Sequence, residues 1–338
     1  SAELKSFYAS GRTPIENSDH TITTSEVVRA LELAKASHLT SDHYLVSAVP
    51  LGFELDDSTE WVQNPIRMSA HSMKGHYQLM MLPISTMQNL DRALKGANIG
   101  VEKMVVSCLA TAESSLLKDE KEYGVCLVDI GAGTTNIAVY LDGRLALTHT
   151  LQRGGEHVTR DIAAVLQTTT EEAERIKLLY GCVELKVVKP DHMIQFQGID
   201  GPQTISRIEL TEIIIARYEE ILNQVHQELQ HNGAIHGLYH GVVLTGDASQ
   251  IEGMVNLARH MLGVSAHLGN PPVQVYAEEQ NQAALRRSQY ATAAGLLMFS
   301  QSDTQDTIVE TTDPEKLSVF KRVGRAWSAL NNQLKSIF

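Results

Sequence analysis

Cysteine, aromatic residues and long apolar runs are all scarce in this sequence, and each scarcity excludes a class of protein. There are three cysteines in 338 residues, Cys108, Cys126 and Cys182, far apart and without disulfide or metal-ligand spacing. They imply a reducing setting. Fourteen histidines are scattered with no HExxH or comparable pair, so no His/Cys metal centre is read. Aromatic residues make up 5% and charged residues 20%, which suits neither a disordered chain nor a nucleic-acid platform. No run of about 18 apolar residues occurs, so no bilayer-crossing helix is expected. Positive charge is also in deficit. The formal net charge of −12 opposes nucleic acid, and anionic lipid too unless the basic residues gather in one place.

What is present is a chain that is 43% hydrophobic, enough for one large domain or two ordinary ones with real cores. Thr23-Thr24-Ser25-Glu26 reads as a capping box, with Ile22 and Val27 as its hydrophobic staple, opening a helix to about His38. Strands are expected at His43–Val49, closed by Pro50-Leu51-Gly52, and at Lys74–Leu82, closed by Pro83. A helix is expected over Thr86–Gly96. Glu102–Ala110 reads as a short buried strand and about Ala112–Leu117 as a small-residue helix. Gly124–Ile130 and Thr135–Leu141 are apolar strands, and Asp142-Gly143 turns the second back into Arg144–Thr150. Helices follow at Val158–Leu166, Thr170–Tyr180 and Leu210–Gln230, then a strand at Gly241–Thr245. Asn281–Ser300 ends in an alanine-rich helix, and Ser302–Glu315 reads as a polar, acidic linker.

The most informative motif is Leu127-Val128-Asp129-Ile130-Gly131-Ala132-Gly133-Thr134-Thr135-Asn136. A buried strand delivers Asp129 to its end, and a turn of small residues lets backbone N–H groups approach an anion. Thr134 and Thr135 add hydroxyl donors, and Asp129 suits the water shell of Mg²⁺. The alternative is an ordinary hairpin with a glycine turn. A second strand-and-turn, Val242-Val243-Leu244-Thr245-Gly246-Asp247, follows later in the chain.

These motifs resemble the actin, seventy-kilodalton chaperone and sugar-kinase superfamily, whose members close two lobes over a nucleotide. The first is similar to the family's second phosphate motif and the later one to its adenosine motif. That motif usually has two adjacent glycines, whereas here Gly246 precedes Asp247. Within the superfamily the chain most resembles the FtsA family. Gly154 to Ala163, Glu171 to Lys177 with Tyr180-Gly181, and Glu212 to Leu222 carry that likeness, in the family's order.

The resemblance implies an actin-like (ribonuclease H-like) α/β fold of two lobes with an inserted subdomain and a C-terminal amphipathic helix. The expected units are the insert (1–100), first-lobe remainder (101–122 and 288–300), second-lobe base (123–160 and 235–287), second-lobe top (161–234), linker (301–315) and tail (316–338). It implies ATP and Mg as cofactors, held by Asp129, Gly131, Ala132, Gly133, Thr134, Thr135, Glu174, Lys177, Gly246 and Asp247, with Mg reached through water by Asp129. Glu174 and Lys177 are expected to face the adenosine. Arg217 and Tyr218 are the expected contacts for the C-terminal peptide of FtsZ. Self-association into filaments, other division proteins as partners, and a peripheral place on the cytoplasmic face of the inner membrane at the septum are implied too. No first phosphate motif precedes Ser1-Ala2-Glu3, so part of the family's first lobe is expected to be missing. At most a weak ATPase is implied. A sugar kinase would need a base in the cleft, and a chaperone-type ATPase a substrate domain after the second lobe.

The basic residues gather in the tail. At about 100° per residue, Phe320, Val323, Trp327, Leu330, Leu334, Ile337 and Phe338 share one arc, with Val319 and Ala326. Lys321, Arg322, Arg325 and Lys335 lie on the other side, and no acidic residue follows Glu315. This is the composition of a helix lying on an anionic phospholipid surface. The alternative is a last core helix docked on the body.

Overall fold

Thr23 opens the first helix through reciprocal capping. Its side chain accepts from the helix backbone, and the Thr23 amide donates to Glu26 Oε2 at 2.9 Å. The computed structural model that places these groups describes residues 3–37, 42–101, 104–271 and 287–301. The linker residues 302–315 and the tail helix lie outside them, as do Glu102 and Lys103 of one expected strand. The helix is α1 (Thr24–Ala36), and its staple residues Ile22 and Val27 are both buried in one cluster.

Helix α1 covers one face of a four-stranded antiparallel sheet. Its strands are β1 (Lys5–Pro14), β2 (His43–Leu55), β3 (Trp61–Val62) and β4 (Ser72–Pro83), in the order β1-β4-β2-β3. Met73, Tyr77, Leu79 and Met81 alternate along β4 toward α1, and the Tyr77 hydroxyl donates to the Val27 carbonyl at 3.2 Å. Strand β2 does not stop at Pro50. It continues through two register shifts, because its partner β3 reaches only Phe53 and Glu54 and leaves Pro50 on an edge. Helix α2 (Ile84–Gly96) follows.

The second sheet has five strands in the order β11-β10-β5-β6-β7. They are β5 (Val125–Ile130), β6 (Thr135–Leu141), β7 (Arg144–Leu151), β10 (Val242–Thr245) and β11 (Ala266–Leu268). Strand β10 runs parallel to β5 and β11, whereas β5, β6 and β7 are antiparallel. Asp142 and Gly143 both have left-handed φ, 51° and 72°, as the two-residue hairpin requires.

Strand β5 is buried on both faces, which explains its apolar run from Val125 to Val128. Cys126, Val128 and Ile130 face the larger cluster, built with α5 (Gly155–Leu166), α6 (Thr170–Tyr180), α7 (Arg207–His231) and α8 (Met254–Leu262). Val125 and Leu127 face the other side, where Val46, Met80 and Leu82 of the first sheet share their cluster. Between α6 and α7 lies the hairpin β8 (Met193–Gly198) and β9 (Gly201–Ser206).

Residues 104–110 form no strand. Helix α3 (Ser107–Ser115) occupies the place and is buried on nearly every side, and a short buried helix and a buried strand share the same continuous apolar pattern. Helix α4 (Lys118–Tyr123) then leads into β5. The alanine-rich helix is α9 (Ala291–Gln301), so Gln301 belongs to it and not to a linker. It crosses α3 so closely that a Cβ at Gly295 would lie 1.7 Å from the Ala110 carbonyl oxygen.

Candidate functional site

The turn between β5 and β6 is held by backbone bonds that leave its own donors free. Gly131 N–H donates to the Thr134 carbonyl at 2.9 Å. The carbonyls of Gly131 and Ala132 accept from the first amides of α5, Gly155 at 2.9 Å and Glu156 at 2.8 Å. Among the described residues, the N–H groups of Ala132, Gly133 and Thr134 have no protein acceptor. Three consecutive unpaired amides make a concave, partly positive surface suited to an anion. The approach of α5 depends on glycine, since a Cβ at Gly154 would meet both turn carbonyl oxygens at 2.5 Å.

The turn borders a cleft of about 890 Å³. Ala132 lies at one side, Gly155, Glu156, Thr159 and Arg160 come from α5, and Glu171, Glu174, Lys177 and Leu178 from α6. Asp247, Ala248 and Gln250 from the turn after β10 line it too, with Tyr218 from α7 and Arg287. Lys177 Nζ is 2.7 Å from Glu174 Oε2, and donates to Thr159 Oγ1 at 2.8 Å and to the Gly155 carbonyl at 3.2 Å. Thr159 also bonds to the Glu174 carboxylate. Five acidic side chains line the cleft, Glu156, Glu171, Glu174, Asp247 and Glu252, against Arg160, Lys177 and Arg287. A polyanion bound here therefore needs the turn amides and a cation to offset those carboxylates.

The sequence of this chain matches the model of the cell division protein FtsA over residues 126–295, and that of the SHS2 domain inserted in FtsA over residues 1–81. It is 31% identical to the cell division protein FtsA of Pseudomonas aeruginosa over 316 residues, covering 91% of this chain and 75% of that protein. The chain belongs to the FtsA family. The FtsA of Escherichia coli K12 is 32% identical over 304 residues, covering 86% of this chain and 70% of that one.

Solved structures show the fold. The PilM–PilN type IV pilus biogenesis complex superposes with a TM-score of 0.59 at 16% identity, covering 88% of this chain and 77% of that one. MreB5 of Spiroplasma citri bound to ADP gives 0.51 at 16%, covering 64% of each chain. The fold is actin-like, with the insert that marks FtsA, as the motifs imply.

Several residues expected from the FtsA resemblance stand elsewhere than their sequence suggests. Ala132, Glu174, Lys177 and Asp247 line the cleft together. Gly131, Gly133 and Thr134 belong to the bordering turn. Thr135 is fully buried and its hydroxyl donates to the Arg153 carbonyl at 2.9 Å, so it has no hydroxyl to offer a phosphate. Gly246 has φ +85°, and a Cβ there would lie 2.5 Å from Asp129 Oδ1.

Asp129 is buried behind the turn, where burial pushes its carboxyl above the usual range. Thr111 Oγ1 donates to it at 3.4 Å. Its register partner on β10, Thr245, is fully buried, and among the described residues its hydroxyl has no partner. The Asn136 side chain bonds to the Asp129 carboxylate too, so the oxygens that would fit a hydrated Mg²⁺ are those of that carboxylate and the Thr245 hydroxyl.

Arg217 is held by ion pairs with its side chain 23% exposed, and Tyr218 is buried. Arg217 grips Asp161 of α5 with two bonds, Nε to Oδ2 at 2.6 Å and Nη2 to Oδ1 at 2.9 Å, and also bonds to Glu220. Tyr218 is 1% exposed and its hydroxyl donates to the Ala248 carbonyl at 2.7 Å. A helical Arg-Tyr pair reads as exposed until the buried stripe of α7 is traced through Ile214, Tyr218, Ile221 and Val225. Thr159 is a cleft residue that the motifs do not mark. Its signal is the spacing of four from Gly155, which puts both on one face of α5.

Proposed function

We propose that this chain acts in bacterial cell division as a nucleotide-holding adaptor. The cleft takes ATP, the chain self-associates into actin-like filaments, and it links FtsZ filaments to the membrane and helps recruit later division proteins. The observation that carries the nucleotide reading is the run of three unpaired amides bordering a cleft that also holds Glu174 and Lys177. The names of the relatives carry the cell-division role.

Phosphates lie against Ala132, Gly133 and Thr134 N–H in this reading, with Glu174 and Lys177 toward the sugar. Asp129 would hold Mg²⁺ through water, with Thr245 offering a second oxygen. The ion supplies neutralising charge between phosphates and carboxylates. FtsZ contact is assigned to the subdomain of α5, α6, α7 and the β8–β9 hairpin, not to Arg217 or Tyr218 singly. Membrane attachment rests on the tail sequence, residues 316–338, with its apolar arc and basic flank.

Gly133→Val tests the nucleotide reading cleanly. A Cβ at 133 meets nothing within 4 Å and no left-handed φ is needed there, so the fold tolerates the change. Calorimetry with Mg-ATP is expected to show binding by the parent chain and at least a tenfold loss in the variant, with the melting temperature unchanged. Equal affinity in both would make the turn an ordinary hairpin.

A further inference from the structure

We infer that Tyr218 is a positioning residue of the nucleotide site, which sets where the turn after β10 stands relative to the amide turn after β5. The inference rests on the nucleotide reading above. Tyr218 projects from the buried stripe of α7, and its ring packs in the cluster that includes Ile214, Ile221 and Leu222. Its hydroxyl nevertheless ends at the cleft, where it donates to the Ala248 carbonyl at 2.7 Å. A buried phenol of this kind is expensive unless it is hydrogen-bonded, so the bond fixes ring and carbonyl together.

Ala248 is gripped from two directions. Tyr218 holds its carbonyl from α7. On the other side its methyl faces Gly155, where a built Cβ would come within 2.9 Å. Gly155 is in turn bonded to Gly131 of the amide turn at 2.9 Å. The path from the free amides to Asp247 thus runs through Gly131, Gly155 and Ala248, with Tyr218 as the stop at its far end. Other bonds on the same turn, from Ser249 Oγ at 2.7 Å and Ser288 Oγ at 3.2 Å, hold the Gly246 carbonyl and not Ala248. Asp247 keeps a bond from Gln250 Nε2 at 3.1 Å, so removing the Tyr218 hydroxyl releases the Ala248 carbonyl and lets the Asp247–Gln250 turn shift while Gly246 stays in place. Because the two turns flank one ligand, a shift of one changes the fit of the whole nucleotide.

Tyr218→Phe keeps the ring and removes the donor, so the core stays filled. Mg-ATP binding to the full chain is measured by calorimetry, with thermal melting in the absence of nucleotide. The expected result is a Kd raised five- to tenfold at unchanged stoichiometry, with melting lowered by a few degrees at most. Gly155→Ala presses on Ala248 from the opposite side. If both act through the position of Ala248, the double variant's change in Kd differs from the product of the single changes by threefold or more. An unchanged Kd in Tyr218→Phe overturns the inference and leaves the nucleotide reading standing. Strictly multiplicative single effects overturn it as well. If the parent chain binds no Mg-ATP, the nucleotide reading falls, and this inference with it.

Discussion

Glycine at 133 and glycine at 246 stand in the two turns of one cleft for different reasons. Gly133 keeps space for whatever approaches its amide, and the protein itself does not need it. Gly246 is required by the fold, with φ +85° and a missing Cβ directed at Asp129 Oδ1 and the Ile130 carbonyl. Gly246→Ala combines left-handed strain with a backbone clash and is expected to cost about 3 kcal/mol or more. Chemical denaturation would measure it, and a loss below about 1 kcal/mol would mean that the two turns are not in contact. Sequence alone marks both residues as glycines in turns and cannot separate these roles, because the contact at 246 joins residues far apart in the chain. Thr135 shows the same limit. Its position after the turn was legible, and the Arg153 carbonyl that takes its hydroxyl was not.

At the scale of elements, the helices with strong periodicity were legible nearly to their ends. Thr170–Tyr180 agrees at both bounds, and the expected Leu210–Gln230 lies inside the observed Arg207–His231. Strand β1 and the β8–β9 hairpin were missed, since each exposes many polar positions and carries a weak apolar alternation. The hairpin matters to α6, because Glu172 accepts from the Gln197 amide of β8 at 2.9 Å while Arg175 binds the same carboxylate at 2.7 Å. Arg175 first, then that amide, hold the Glu172 carboxyl at about 2, against 4.5 for the free group. A folded value below the unfolded one gives stability that is present above 4.5 and is lost as pH falls toward about 2. Glu172→Gln is expected to cost about 1 kcal/mol at pH 7. That difference should close in urea melts taken at successively lower pH. A gap that persists unchanged at the acid end would assign the loss to packing.

At the scale of the whole molecule, four strands of the five-stranded sheet are legible, because β5, β6 and β10 are buried and apolar and Asp142-Gly143 turns β6 into β7, whereas the three-residue edge strand β11 is too short to show a pattern. The packing of the insert's Val46, Met80 and Leu82 on the sheet face of Val125 and Leu127 is not legible either, since nothing local in either segment names the other. The tail has its own test. Vesicles rich in anionic lipid should shift Trp327 emission to the blue, with Trp61 replaced to isolate the signal. Trp327→Glu should release the chain from sedimenting vesicles, and salt should weaken the parent's binding. Blue emission without lipid, unchanged by vesicles, would place the helix on the body.

The crossing of α3 and α9 has a mechanical consequence. Helix α9 is the root from which residues 302–338 continue, and it is seated on α3 at Gly295 with backbone nearly touching backbone. The Thr292 and Thr111 hydroxyls, 2.8 Å apart, join the same two helices directly above Asp129. Any shift of α9 along α3 would therefore reach Asp129, behind the amide turn, through this pair of hydroxyls.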